Sequence, residues 1–188
     1  MRIGVFNGSF DPVHNGHIKM VNHILDNDIV DKVVIVATDD YWDKKISTSL
    51  KDRVAMLKFF ENENIIIYEK YNELIYTIEL LAALQNDYPN DELYLMMGAD
   101  NLINIEKWKD YENLIKYPFI VYKRDDVDEN DLAEYFNKLN KDNYYIATID
   151  NIDISSTYIR EHIDDYDLIG NMLDYRVYEY YKKIINKD

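Results

Sequence analysis

Six short apolar runs punctuate this chain, and between them lie longer stretches whose apolar residues recur at helical spacing. The runs are RIGVF (2–6), KVVIVAT (32–38), IIIYE (65–69), ELYLMMG (92–98), FIVYK (119–123) and YYIATI (144–149). KVVIVAT is β-branched and continuous, as a parallel strand buried on both faces should be. The intervening segments 15–27, 49–63, 72–88, 110–117 and 129–140 predict helices. In the first, Ile18, Val21 and Leu25 share one face; in the second, Leu50, Val54, Leu57 and Phe59 or Phe60 face inward. Pro89 stops the third. Two further helices, around 155–163 and 172–185, close the chain. This alternation predicts an α/β fold: a Rossmann-like, doubly wound parallel sheet with helices on both faces and a C-terminal helical element. With 188 residues, no internal repeat and no linker, a single domain over 1–188 is expected.

Composition excludes several chemistries. No cysteine is present, so there is no disulfide, thiolate nucleophile or cysteine-held metal. The start, MRIGVF, has no apolar run long enough for a signal peptide, and no stretch approaches a membrane span. A cytoplasmic protein is expected, as a monomer or homodimer. The formal charge is -15, which argues against nucleic acid or an anionic membrane as partner. An anionic small molecule could bind only where cations or backbone N–H groups gather locally.

Open parallel sheets bind ligands beyond the carboxyl ends of their strands, so the residues following each run are the candidates. The first run leads into NGSFDPVHNGH (7–17). Gly8 would permit close backbone approach, and the following helix start offers free N–H groups to phosphate. His14 at the helix entrance and His17 in its first turn could add imidazole donors. The sixth run leads into ISSTYIR (154–160), where Ser155, Ser156 and Thr157 suit a helix start and Arg160 follows one turn later. Hydroxyls, N–H groups and a guanidinium together could cradle a triphosphate. The fourth run ends in MMGADNL (96–102), with Gly98 open to a ligand and Asp100 able to accept from a ribose hydroxyl.

GSFDPVHNGH resembles the H-x-G-H signature of the nucleotidyltransferase superfamily related to class I aminoacyl-tRNA synthetases, and ISSTYIR resembles its second phosphate motif. Gly98-x-Asp100 followed by Trp108 resembles the bacterial nicotinate-nucleotide adenylyltransferases. LIYTIELL (74–81) resembles their SYTxxTL segment through Tyr76 and Thr77, and FIVYKR resembles their next strand, with Arg124 at its end. The resemblance implies adenylyl transfer from ATP to nicotinate mononucleotide. It implies catalytic roles for His14, His17 and Arg160, and ATP contacts from Gly8, Ser9, Phe10, Gly98, Asp100, Arg124, Ser155, Ser156 and Thr157. It implies mononucleotide contacts from Lys44, Tyr76, Thr77 and Trp108, with Trp108 stacking on the pyridine ring or else serving as core. Magnesium would ride on ATP phosphates, with no protein metal ligand.

One stretch departs from the family. Where its members carry PPHK, this chain has ATDDYWDKKIS (37–47): Lys44 or Lys45 supplies a cation, Asp43 replaces the histidine, and Tyr41-Trp42 replace the prolines. Arg53 in the next helix is a further candidate by position. The cations His14, His17, Lys44, Lys45, Arg124 and Arg160 are expected to converge at one sheet edge. The alternatives are a relative of the same fold that takes nicotinamide mononucleotide, phosphopantetheine or a cytidylyl group, and a nucleotide-binding module without turnover.

Overall fold

The computed structural model describes residues 1–39, 46–74, 76–123, 128–149 and 154–186. The apolar runs form β1 (Arg2–Gly8), β2 (Lys32–Ala37), β3 (Ile65–Ile67), β4 (Glu92–Gly98), β5 (Phe119–Lys123) and β6 (Tyr144–Thr148). All described pairings are parallel, in the order β3-β2-β1-β4-β5-β6. The chain winds outward from β1 to β3, then returns to the centre and winds the other way from β4. The direction of winding reverses between β1 and β4, where such sheets bind ligands.

The helices are α1 (Asn15–Asp26), α2 (Leu50–Leu57), α3 (Thr77–Asp87), α4 (Ala99–Ile103), α5 (Tyr111–Leu114), α6 (Glu129–Lys138), α7 (Ser156–Glu161), α8 (Tyr166–Ile169) and α9 (Tyr175–Ile185). Three differ from the helical spacing. The segment 49–63 stops being α-helical at Leu57, and a tighter turn over Lys58–Phe60 half-buries both Phe59 and Phe60. The segment 72–88 becomes helix only at Thr77, after a turn at 71–73. The last helix begins at Tyr175 rather than near 172, because the Asp174 carboxylate caps it, accepting from the Arg176 N–H at 2.8 Å. Two short helices, α4 and α8, have too few residues to show periodicity in the sequence.

Strand side chains alternate between two cores. On β1, Ile3 and Val5 join one cluster while Phe6 joins the other; on β2, Val34 and Val36 oppose Val33, Ile35 and Ala37. Helices α1, α2 and α9 cover the face of Phe6, and α3, α4 and α6 cover the face of Val5. Each fully buried aliphatic side chain contributes about 1.5–3 kcal/mol, which explains why strands without polar alternation are stable only between two helical layers. No described helix is long and apolar enough to cross a membrane.

One buried charge holds the entry to β5. Lys141 is 5% exposed and donates to Ile115 O (2.8 Å), Tyr117 O (2.5 Å) and Asn143 Oδ1 (2.6 Å), with its ammonium 3.9 Å from the Phe119 ring centre. Burial pushes the ammonium down to about 8 from 10.5. Lys141→Met strands the two carbonyls and is expected to cost about 1–3 kcal/mol in urea unfolding. The folded pKa lies below the unfolded one, so between about pH 8 and 10.5 the unfolded chain binds more protons and stability rises with pH. The stability gap between wild type and Lys141→Met should therefore widen across that window.

Candidate active site

The sheet splits where its winding reverses. β1 and β4 pair only as far as Val5↔Leu95. Beyond that point β1 continues with β2 to Gly8↔Ala37, and β4 continues with β5 to Gly98↔Tyr122. The carboxyl ends of the two central strands thus part, and the residues following them line the gap.

The turn after β1 works differently from the glycine reading. Phe10, not Gly8, takes the left-handed conformation, with φ of 49°. A Cβ at Gly8 would make ordinary contact with the Phe10 ring, at 3.5 Å. Phe10 is 3% exposed, and its ring packs edge-on against Phe6 and His17, so core packing stabilises the strained backbone. The chain then passes a cis Asp11–Pro12 bond and enters α1 at His14.

The two histidines cap that helix reciprocally. The His14 side chain accepts the His17 N–H through Nδ1 (3.4 Å), and His17 Nδ1 accepts the His14 N–H (3.2 Å). This is a capping box built from imidazoles, with the rings stacked 3.6 Å apart. An Nδ1 that accepts an amide proton cannot carry one, so each ring holds its proton on Nε2. The backbone thereby sets both tautomers, and each ring keeps an Nε2–H donor on the edge opposite its cap.

α7 docks on the same loop from about 140 residues away. Ser156 Oγ donates to Pro12 O (3.0 Å), and Arg160 Nη1 donates to Asp11 O (2.6 Å). Arg160 Nη2 donates to Thr157 Oγ1 (3.0 Å), while Ser155 caps α7 by accepting the Tyr158 N–H (3.4 Å). The three hydroxyls expected to face phosphate are therefore engaged within the protein, where they seat the helix and orient Arg160. Beneath them lies Asp11, 1% exposed, which accepts from the Ser47 N–H (2.6 Å), Ser47 Oγ (3.0 Å) and Thr48 Oγ1 (2.5 Å).

On the other wall, Asn7 at the end of β1 donates to Thr77 Oγ1 (3.2 Å) and ties the start of α3 to the gap. Tyr76 is the N-cap residue of α3, and the Lys109 ammonium lies 4.0 Å from its ring centre and 2.6 Å from Glu79. Trp108, next to Lys109, is half-buried against the core on this face. Tyr76, Thr77 and Trp108 are thus gathered, through Asn7 and Lys109. At the end of β4, Gly98 exists for its own neighbour: the exposed Asp100 carboxylate folds back to where a Cβ would sit. Ser9 contributes its carbonyl rather than its hydroxyl, accepting from Arg53 Nη1 at 2.8 Å.

Arg53 itself is no phosphate cation. It is fully buried and donates to Ser9 O and Thr38 O (both 2.8 Å) and to Asp39. It straps the ends of β1 and β2 together. Lys44, Lys45, Tyr41, Trp42, Asp43 and Arg124 lie outside the described residues. Of the expected cationic cluster, the described part brings Arg160 onto the loop that carries His14 and His17.

Sequence reasoning missed Asn7, Asp11, Lys109 and Tyr181. Asp11 stood inside the quoted motif without an assigned role. The other three act through partners at least 30 residues away, and spacing carries no signal for such pairs.

A family model described as cytidylyltransferase-like matches residues 5–162. A protein of Flavobacterium psychrophilum named "Probable nicotinate-nucleotide adenylyltransferase" is 34% identical over 188 residues, covering 96% of this chain and 95% of its own. A Clostridium perfringens protein of the same name is 33% identical over 177 residues, covering 87% of each chain. The Plasmodium falciparum nicotinic acid mononucleotide adenylyltransferase, solved in complex with NaAD, superposes with a TM-score of 0.82 at 23% identity, over 97% of this chain and 95% of that one. With a parallel sheet split at its centre, a doubly capped H-x-G-H helix and relatives matched end to end, this chain belongs to the nicotinate-nucleotide adenylyltransferase family, within the cytidylyltransferase-like group.

Proposed function

We propose that this protein transfers the adenylyl group of ATP to nicotinate mononucleotide, giving nicotinate adenine dinucleotide and pyrophosphate. The names borne by the full-length relatives support the acceptor, as does the NaAD bound by the Plasmodium falciparum enzyme. The observation that carries the mechanism is the imidazole capping box, with Arg160 bonded to the same loop.

In the reaction a 5′-phosphate oxygen of the mononucleotide bonds to the α-phosphorus as the bond to the bridging oxygen breaks, and pyrophosphate leaves with that electron pair. The nucleophile is already an anion, so no general base is required. Catalysis is then positioning and neutralisation of developing charge. His14 and His17 donate Nε2–H to the α- and β-phosphates. Arg160 holds the β- and γ-phosphates, with Ser155, Ser156 and Thr157 setting its place. Gly8, Phe10, Gly98 and Asp100 border the nucleoside, and Ser9 shapes the loop through its carbonyl. Tyr76, Thr77 and Trp108 receive the pyridine end. Lys44 and Arg124 are the remaining candidates for the phosphates. Magnesium enters on ATP; the Asp11 carboxylate beside the clamp is buried and takes protein donors on both oxygens.

The test is pyrophosphate release from ATP and magnesium with nicotinate mononucleotide, nicotinamide mononucleotide or phosphopantetheine as acceptor. Turnover is expected with nicotinate mononucleotide, and more slowly with the amide. Release with phosphopantetheine alone, or ATP binding without release, would contradict the proposal.

A further inference from the structure

We infer that Asp11 is a positioning residue of this reaction, the junction that fixes the histidine loop against the turn after β2 and the C-terminal helix; this rests on the reading of the site given above. The carboxylate is 1% exposed, and both its oxygens are occupied. Oδ2 takes the Ser47 N–H and hydroxyl, and Oδ1 takes the Thr48 hydroxyl. A carboxylate this buried, with protein donors on both oxygens, is turned toward the protein rather than toward a substrate, so its role is mechanical.

The network has a defined direction. An ionised carboxylate only accepts, so Ser47 spends its one hydroxyl proton on Asp11. The Ser47 oxygen also lies 2.6 Å from Tyr181 Oη, and that contact must then be donated by tyrosine. Tyr181 is 2% exposed on α9, and burial raises its pKa, which keeps the proton available. The chain therefore runs Tyr181 to Ser47 to Asp11. At its far end, Arg160 donates to the Asp11 carbonyl at 2.6 Å, with its guanidinium 3.9 Å from Oδ2. Three residues after Asp11 comes His14. Asp11 thus meets the 47–48 turn and α9 through its side chain, and α7 and the capping box through its backbone.

Arg53 supplies a second, independent strap between the same two strand ends, through Ser9 O and Thr38 O. Loss of Asp11 should therefore loosen the clamp without unfolding the sheet. A displacement of about 1 Å in a positioning group costs roughly 100-fold in rate.

The experiment is a mutant cycle read as kcat per folded molecule, with KM for each substrate and affinity for the α,β-methylene analogue of ATP. Asp11→Ala is expected to lower kcat about 100-fold and weaken the analogue at least about fivefold. Ser47→Ala and Tyr181→Phe should each lose about 3- to 10-fold, and the Ser47→Ala/Tyr181→Phe double variant should match Ser47→Ala alone within about twofold, because they share one chain. Asp11→Asn should recover most of the loss, since its carbonyl can serve Ser47 while the Thr48 hydroxyl turns to accept. If Asp11→Ala does not fold, the Ser47–Tyr181 cycle decides. Multiplicative losses in that cycle, or Asp11→Ala at wild-type kcat per folded molecule, would overturn the inference. A wild type that makes no product from nicotinate mononucleotide defeats the acceptor reading instead, and the same cycle in analogue affinity still tests Asp11.

Discussion

His17→Ala should lower kcat by about 10²–10³-fold, the usual loss when one preorganised donor to a developing anion is removed. The substitution also deletes half of the capping box, because His17 Nδ1 accepts the His14 N–H. That second loss is expected to cost about 0.5–2 kcal/mol of stability. The two effects can be separated. Glutamine at the same N3 position restores an acceptor for the His14 N–H, as capping boxes ordinarily use it. His17→Gln should therefore regain most of the thermal stability and little of the rate. Equal recovery of both would mean that His17 serves the helix and not the phosphates.

Arg160→Ala should cost a comparable factor, and Arg160→Lys should recover less than a tenth of it. The guanidinium already spends one nitrogen on Asp11 O and another on Thr157 Oγ1, so it approaches phosphate from a fixed frame. A lysine ammonium supplies the charge without the planar fork, from a single nitrogen, and so loses that fixed frame. The loss should fall on kcat and on the KM for ATP, while the KM for the mononucleotide changes little. A defect confined to the mononucleotide KM would move Arg160 to the other half of the site.

The sheet was legible because strands buried between two helical layers read as continuous apolar runs, and KVVIVAT could hardly be anything else. Helix ends were less so. The start of α9 depends on Asp174 reaching the Arg176 amide, a contact that periodicity does not contain. The phosphate motifs were visible as strings, but their local physics was not. Gly8 looked like the special turn residue, yet the strained backbone belongs to Phe10, held by its contacts with Phe6 and His17. Ser155, Ser156 and Thr157 read as ligand donors; in the fold Ser156 Oγ donates to the first loop, Ser155 Oγ caps α7 and Thr157 Oγ1 accepts from Arg160. Arg53 looked like another cation for the site, and it is a buried strap between strand ends. In each case the residue type was right for anion binding, and only the three-dimensional partner shows where its hydrogen bonds go.

The same distinction explains how a chain of charge -15 can prepare an anion site. Two of the candidate donors are imidazole N–H groups, oriented by backbone amides. The guanidinium is held by a carbonyl and a hydroxyl, with the Asp11 carboxylate 3.9 Å away.

Nitrogen-15 NMR of the histidine side chains, without and with the magnesium complex of α,β-methylene-ATP, addresses the clamp directly. The reciprocal cap predicts that His14 and His17 both carry the proton on Nε2 in the free protein, and that both Nε2–H signals shift on binding while the Nδ1 signals stay those of an acceptor. Protons on Nδ1, or Nε2–H signals unmoved by saturating analogue, would contradict it.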